Sequence, residues 1–363
     1  MNAMEKLRKL GQSLWLDTIS RDLLTSGTLG RYISDYSVTG LTSNPTLFDQ
    51  ALRQGDAYDA GIREKALSGR SGEALFFELA LEDLTRAADL FRPIHTATDA
   101  VDGWVSLEVS PLLANDTAAT VAAAIALHGR AQRPNLFIKI PGTQAGLPAI
   151  EEAIFAGVPV NVTLLFSREQ YVEAAKAYMR GIERRLAAGR APRVASVASI
   201  FVSRWDVAIQ DRVPPHLRNH LGIAIARRVY QSYLEVLASD RWKKIGDSGG
   251  QPQRLLWAST GTKDPDAPDT LYVEALAAPD TINTMPEKTL LAVAEHGHVA
   301  GLMPQDGGDA VQILDAFAYE GIHEAQLAAQ LQREGTAAFV RSWNELLGRI
   351  AAKAASLLAA RRA

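Results

Sequence analysis

Apolar and polar positions follow two different periods along this chain. Short apolar runs that end in polar residues predict buried parallel strands. They fall at Ser13–Asp17, Ser37–Ser43, Trp104–Val109, Leu136–Lys139, Val158–Thr163, Val194–Ser199, Leu255–Ser259 and Thr281–Thr284. Between them lie segments with the 3.6-residue period of amphipathic helices. The clearest begins at Ser167, with Gln170 at the spacing of a capping box. Its apolar face runs Tyr171, Ala174, Tyr178, Ile182 and Leu186, and Gly189 and Pro192 end it.

Strand-like runs alternating with helices predict an α/β chain, and the number of runs favours a closed (β/α)8 TIM barrel over an open sheet. The expected organisation is one barrel domain over 1–363, with a helical insertion over 55–98 and a C-terminal helical extension over 311–363 packed on the barrel. The last helix should show Phe339, Trp343, Leu347, Ile350, Ala354 and Leu358 on one face. Asp240–Arg254, with Gly246, Gly249, Gly250 and Pro252, reads as a surface loop, and Asp264–Asp269 as another near the barrel mouth.

Composition narrows the function classes. A length of 363 residues with 47% hydrophobic and 22% charged residues is ordinary for a folded chain and excludes disorder. Zero cysteines exclude disulfides, thiolate zinc sites and a cysteine nucleophile, and fit a reducing compartment. A formal net charge of -3 offers no bulk attraction to nucleic acid or anionic membrane. Met1–Leu10 has no apolar run of a secretory signal, and no stretch reaches the roughly 18 apolar residues of a membrane span. The expectation is a cytoplasmic protein, monomer or homodimer, with no nucleic-acid or membrane partner.

In such a barrel the reactive groups project from the C-terminal ends of the strands. Those ends carry Asp17, Thr42–Asn44, Glu108, Lys139, Asn161 and Thr163, Ser199 and Ser259, every one polar after an apolar run. Lys139 is the most informative, flanked by Ile138 and Ile140. A solvated lysine has a pKa of ~10.4. Desolvation favours its neutral amine, a nucleophile that forms Schiff bases with carbonyls. The competing reading is a strand-end lysine that snorkels or pairs with Glu108 or Asp17. Two carboxylates suit the proton transfers of Schiff-base chemistry; they equally suit glycoside hydrolysis or simple ion pairing. No HExxH pattern is present, and His296 and His298 read as ordinary surface histidines.

Several segments resemble a known family. Gly40-Leu-Thr-Ser-Asn-Pro-Thr-Leu-Phe48 is similar to the transaldolase N-terminal signature, and Phe137-Ile-Lys-Ile-Pro-Gly-Thr-Gln-Ala-Gly-Leu147 to its active-site lysine signature. Leu14–Thr18, Ser106–Ser110, Val160–Phe166 and Ser199–Arg204 match further family segments in order, and Trp257–Pro286 is similar to the longer bacterial branch. The resemblance implies transfer of a dihydroxyacetone unit from sedoheptulose 7-phosphate or fructose 6-phosphate to glyceraldehyde 3-phosphate or erythrose 4-phosphate, in the pentose phosphate pathway. No cofactor or metal is implied. By position, Lys139 would form the Schiff base, Glu108 would act as acid and base through a water that Thr163 helps to hold, and Asp17 would take the C4 hydroxyl proton. Thr42, Asn44, Asn161 and Ser199 would contact the sugar, and Arg204 the phosphate.

The chain departs from the family at one point. The turn Ala258-Ser-Thr-Gly-Thr-Lys263 lacks the arginine that commonly follows the seventh strand, so Lys263, or hydroxyl and backbone donors of Ser259, Thr260 and Thr262, would take its place. Three other functions remain open at this level. An aldolase of the same family would release dihydroxyacetone and tends to use a tyrosine as its acid and base. A glycosidase would use Asp17 and Glu108 without Lys139. A non-catalytic sugar-phosphate-binding barrel would not be trapped covalently.

Overall fold

The computed structural model describes residues 2–359; Met1 and residues 360–363 of the expected C-terminal extension lie outside the described residues. The chain forms the expected (β/α)8 barrel. Strands β1 (Ser13–Asp17), β2 (Val38–Thr42), β3 (Trp104–Glu108), β4 (Leu136–Pro141), β5 (Val160–Leu165), β6 (Ser196–Phe201), β7 (Arg254–Ala258) and β8 (Ile282–Met285) pair in sequence order, and β1 closes on β8. Every pairing is parallel.

Three strands start or stop two residues away from the expected positions, the others coinciding or differing by one. β5 begins at Val160 rather than Val158. Gly157 turns left-handed (φ 94) at the end of helix Gly146–Ala156, and Val158 N–H closes that end by donating to Ala153 O. β6 begins at Ser196, because Val194 N–H folds back onto Pro192 O. β4 runs on to Pro141, so Lys139 lies inside a strand and not at its tip. The segment expected as a loop over Asp240–Arg254 holds a helix, Asp240–Asp247. Ser239 caps it by accepting from Trp242 N–H, and Trp242 and Ile245 are buried. The glycines that suggested a loop end this helix rather than prevent it.

The barrel interior is filled in layers. At the bottom the buried Arg254 guanidinium donates to Val101 O, Thr281 O and Ser13 Oγ. Above it an aromatic floor joins strands across the interior. The rings of Trp104 and Phe137 stack at 4.1 Å, and Trp15 on β1 meets Phe137 on β4 at 6.3 Å. Gly40 makes room for this floor, since a Cβ there would lie 2.5 Å from the Trp15 ring. A polar layer rests on the aromatics and carries the chemistry.

Helices Asp59–Leu67 and Gly72–Ala97 fill the long gap before β3. Helix Glu324–Ala359 crosses the other helices with Phe339, Trp343, Leu346 and Ile350 buried. Leu347, Ala354 and Leu358, expected on the same face, are only half-buried; Leu346 takes the inner place. Trp343 anchors the helix. Its ring packs edge-on to Phe76 at 4.9 Å, and its Nε1 donates to Glu73 Oε1 at 2.9 Å. Arg349 and Lys353 pair with Asp49 and Asp59 further along. Trp343→Ala should cost about 3–5 kcal/mol of stability. Trp343→Phe should cost less, because it keeps one ring against Phe76 and loses the bond to Glu73 and only part of the buried volume. Urea unfolding of both variants checks the order.

Candidate active site

One cavity of about 200 Å3 opens at the C-terminal ends of the strands. Asp17, Thr42, Asn44, Lys139, Thr163, Ser199, Arg204 and Lys263 line it, drawn from six of the eight strands and the segments that follow them. Of the residues expected at the site, Glu108 and Asn161 lie just behind this wall.

The strand register sets the arrangement. Glu108 of β3 pairs with Lys139 of β4, which pairs with Asn161 of β5. Lys139 and Glu108 are each 5% exposed. Lys139 Nζ lies 3.5 Å from Glu108 Oε2 and donates to Ser43 O at 3.1 Å. The pairing with Glu108 considered from sequence is therefore present, and it sits buried in the cavity wall instead of on a solvated rim. Asp17 accepts from Thr42 Oγ1 at 2.6 Å, and Thr42 in turn shares a 2.7 Å hydrogen bond with Thr284. Ser199 donates to Asn161 Oδ1 at 2.7 Å, and Asn161 Nδ2 donates to Ser106 Oγ at 3.1 Å. The Asn161 amide, expected to meet sugar hydroxyls, thus makes one hydrogen bond at each end within the wall. Asn44 Oδ1 caps helix Pro45–Arg53 by accepting from Leu47 N–H. Its amide NH2 is the part left for a ligand.

Two buried polar atoms at the site make no hydrogen bond within the protein, Thr163 Oγ1 and Glu108 Oε2, the latter having only the 3.5 Å ion pair with Lys139. Thr163 stands at a bulge where β5 slips its register against β6. The next residue, Leu164, adopts φ 58, a region non-glycine residues seldom enter. Gln332 of the C-terminal helix holds this irregularity by donating to Leu164 O and Gly142 O, both at 3.0 Å. Among the described residues no group of three or more His, Cys, Asp or Glu side chains is placed to hold a metal ion.

The profile of the transaldolase/fructose-6-phosphate aldolase family matches residues 14–350. The chain is 46% identical over 362 residues to a transaldolase of Thermobifida fusca, covering 97% of this chain and 98% of that one. It is 48% identical over 351 residues to a transaldolase of Saccharopolyspora erythraea, covering 95% of each. A transaldolase of Acidothermus cellulolyticus is 44% identical over 367 residues, with 99% and 98% covered. This chain belongs to the transaldolase/fructose-6-phosphate aldolase family.

In this family member the cavity is electrostatically mixed. Burial pushes the Asp17 carboxyl above its ordinary range, while Lys139, the Thr42 hydroxyl, Arg204 and Lys263 pull it back. Burial likewise raises Glu108, against the opposing pull of Lys139. Arg204 is lowered by burial, and Glu108 and Asp17 act in the other direction. Lys263 is exposed at the rim, on the loop that follows β7. Ser203 and Ser259 tie that loop to the end of β6: their hydroxyls lie 2.9 Å apart and Ser203 N–H donates to Ser259 O.

Sequence reasoning missed four contributors. Thr284 ends a strand in a polar residue like its neighbours, so that signal was present. The backbone oxygen of Ser43, the Phe339 ring and the Gln332 amide left no trace, because their places depend on contacts far apart in the chain. Among the described residues no helix is long and apolar enough to cross a membrane.

The raised Glu108 carboxyl has a consequence for stability. Its folded pKa lies above its ordinary value of 4.5, so the folded chain binds more protons than the unfolded one in the window just above that value. Unfolding free energy therefore falls as pH rises through the window. Glu108→Gln removes this contribution. Its deficit against the wild type should shrink as pH rises from about 4 to about 8 in thermal melts; parallel curves would show that the carboxyl is not raised.

Proposed function

We propose that this chain is a transaldolase that moves a dihydroxyacetone unit between sugar phosphates through a Schiff base on Lys139. The observation that carries the reading is the Lys139 amine, walled into a strand 3.5 Å from Glu108 and facing the cavity that also holds Asp17. An amine in that position meets a ketone without bulk water around it, and the two carboxyls on either side supply separate proton transfers.

The reaction then runs as follows. Lys139 Nζ adds to C2 of the ketose phosphate and gives a carbinolamine. Glu108, acting through a water held with Thr163, protonates the departing hydroxyl, and loss of water leaves the iminium. Asp17 takes the proton of the C4 hydroxyl; the C3–C4 bond breaks, its electron pair moves into the iminium, and an aldose phosphate leaves. The enamine on Lys139 attacks the carbonyl of the incoming aldose phosphate, and Asp17 returns its proton to the new hydroxyl. Water then releases the product ketose. The iminium is the electron sink of this sequence.

Thr42, Asn44 and Ser199 contact the sugar in this reading, and Asn161 acts through Ser199. Arg204 takes the phosphate with a planar donor fork, and Lys263 adds a point charge where the family commonly has a second arginine. Sedoheptulose 7-phosphate or fructose 6-phosphate as donor, and glyceraldehyde 3-phosphate or erythrose 4-phosphate as acceptor, place the reaction in the pentose phosphate pathway. A cytoplasmic setting goes with it, supported by a chain with zero cysteines. Transfer is favoured over simple aldol release because none of the described residues lining the cavity is a tyrosine.

Sodium borohydride with fructose 6-phosphate should add a stable mass to the peptide containing Lys139, and Lys139→Ala should abolish it. A folded wild-type protein that gains no mass would end this reading. Turnover of fructose 6-phosphate with and without an aldose acceptor separates transfer from release. Lys263→Ala should raise the KM for phosphorylated sugars while leaving trapping of dihydroxyacetone intact; an unchanged KM would remove Lys263 from the site.

A further inference from the structure

Arg204 shares its cavity with Asp17, and Glu108 stands just behind the wall, yet among the described residues Arg204 forms neither an ion pair nor a hydrogen bond with either of them. What restrains it is apolar. Its guanidinium carbon lies over the ring of Phe201 at 4.8 Å and over that of Phe339 at 5.8 Å. Phe201 is the last residue of β6 and belongs to the barrel; Phe339 comes from the C-terminal helix. One turn earlier on that helix stands Gly335. A Cβ built there would lie 3.2 Å from Arg204 Nη1 and 2.9 Å from Leu164 Cδ2. The bare backbone of Gly335 therefore lets the guanidinium sit flush against the helix. Trp343, one turn beyond Phe339, fixes the helix through its bond to Glu73.

A guanidinium stacked on aromatic faces keeps its N–H groups pointing outward in its own plane. Without those faces, a long flexible side chain in a partly buried site falls toward the nearest carboxylate. Here that means Asp17 or Glu108, the two groups whose charge already acts on Arg204. Such a collapse would neutralise the anion-binding fork.

We propose that Phe339 and Gly335 of the C-terminal helix are specificity-determining positioning residues: they hold Arg204 off the catalytic carboxylates and aim it at the anionic end of the substrate. The helix thereby selects phosphorylated over unphosphorylated ketoses. This rests on the phosphate role given to Arg204 above.

The test compares Phe339→Leu, Phe339→Tyr and Gly335→Ala, in the full chain. Phe339→Leu removes the π face, Phe339→Tyr keeps it, and Gly335→Ala pushes a methyl against the guanidinium. Phe339→Leu and Gly335→Ala should each raise the KM for fructose 6-phosphate and the Kd for inorganic phosphate about tenfold. Phe339→Tyr should restore both. The concentration of unphosphorylated dihydroxyacetone that half-saturates borohydride labelling of Lys139 should move by less than about twofold in Gly335→Ala, because that ligand has no anionic end; in Phe339→Leu, whose ring also lies 6.0 Å from Lys139 Nζ, it should move by a clearly smaller factor than the phosphate Kd. The proposal is overturned if KM and Kd stay unchanged in both variants, or if dihydroxyacetone labelling weakens by the same factor as phosphate binding. Should Gly335→Ala fail to fold, the Phe339 pair decides alone. A wild type that takes no label from either ketone would sink the transaldolase reading instead, while the phosphate Kd values would still judge the role of the helix.

Discussion

An amine held inside a parallel strand beside a buried carboxyl is the contact on which the rest of this structure depends. Lys139 and Glu108 face each other because β3 and β4 pair in one register. A slip of either strand by one residue would turn its own member of the pair out of the barrel. The two groups limit each other. Burial makes either charge costly, and each is the partner that makes the other tolerable. Their placement above an aromatic floor removes water from below, so the only open approach is from the cavity. Proton movements at such a site are governed by the few groups present and not by bulk solvent.

The layers below and above that pair have distinct tasks. The floor of Trp15, Trp104 and Phe137 gives rigid apolar support, and Gly40 exists as glycine because a side chain would displace Trp15. The hydroxyl and amide chain Ser106–Asn161–Ser199 crosses three strands and satisfies its own hydrogen bonds. It orients the wall without leaving buried donors exposed to apolar surroundings. Thr42 and Thr284 do the same for Asp17 on the opposite side. The C-terminal helix completes the mouth, with Gln332 bracing the bulge beside Thr163 and Phe339 facing both Lys139 and Arg204.

Much of this was legible in the residues alone, and the reasons differ by element. Buried parallel strands leave unbroken apolar runs, so their number and order could be read directly. The polar residue at the end of each run marked where the mouth lies, because a polar group after a buried strand needs either solvent or a partner. Errors fell where local and long-range preferences compete. Val158 is apolar enough for a strand, but its N–H is taken by the end of the preceding helix. Gly246 and Gly249 suggested a loop, whereas Trp242 and Ile245 had enough apolar surface to dock a helix. The role of Asn161 is not such an error: the residue has the chemistry of a sugar ligand, and the register adds that it also links Ser106 and Ser199 within the wall.

The amino-acid order by itself determined the class of fold, the strand order and the kinds of side chain that meet at the barrel mouth. Those features follow from short-range periodicity and from the rule that parallel strands with helical crossovers present their C-terminal ends together. Tertiary structure alone decided which atoms touch. The 3.5 Å approach of Lys139 to Glu108 needs a register between strands, and the enclosure of Arg204 needs a helix that begins at Glu324 to fold back over β5 and β6. Contacts between groups dozens to more than a hundred residues apart leave no periodic trace in a sequence. They arise only when the barrel closes and the last helix finds the surface it was shaped to cover.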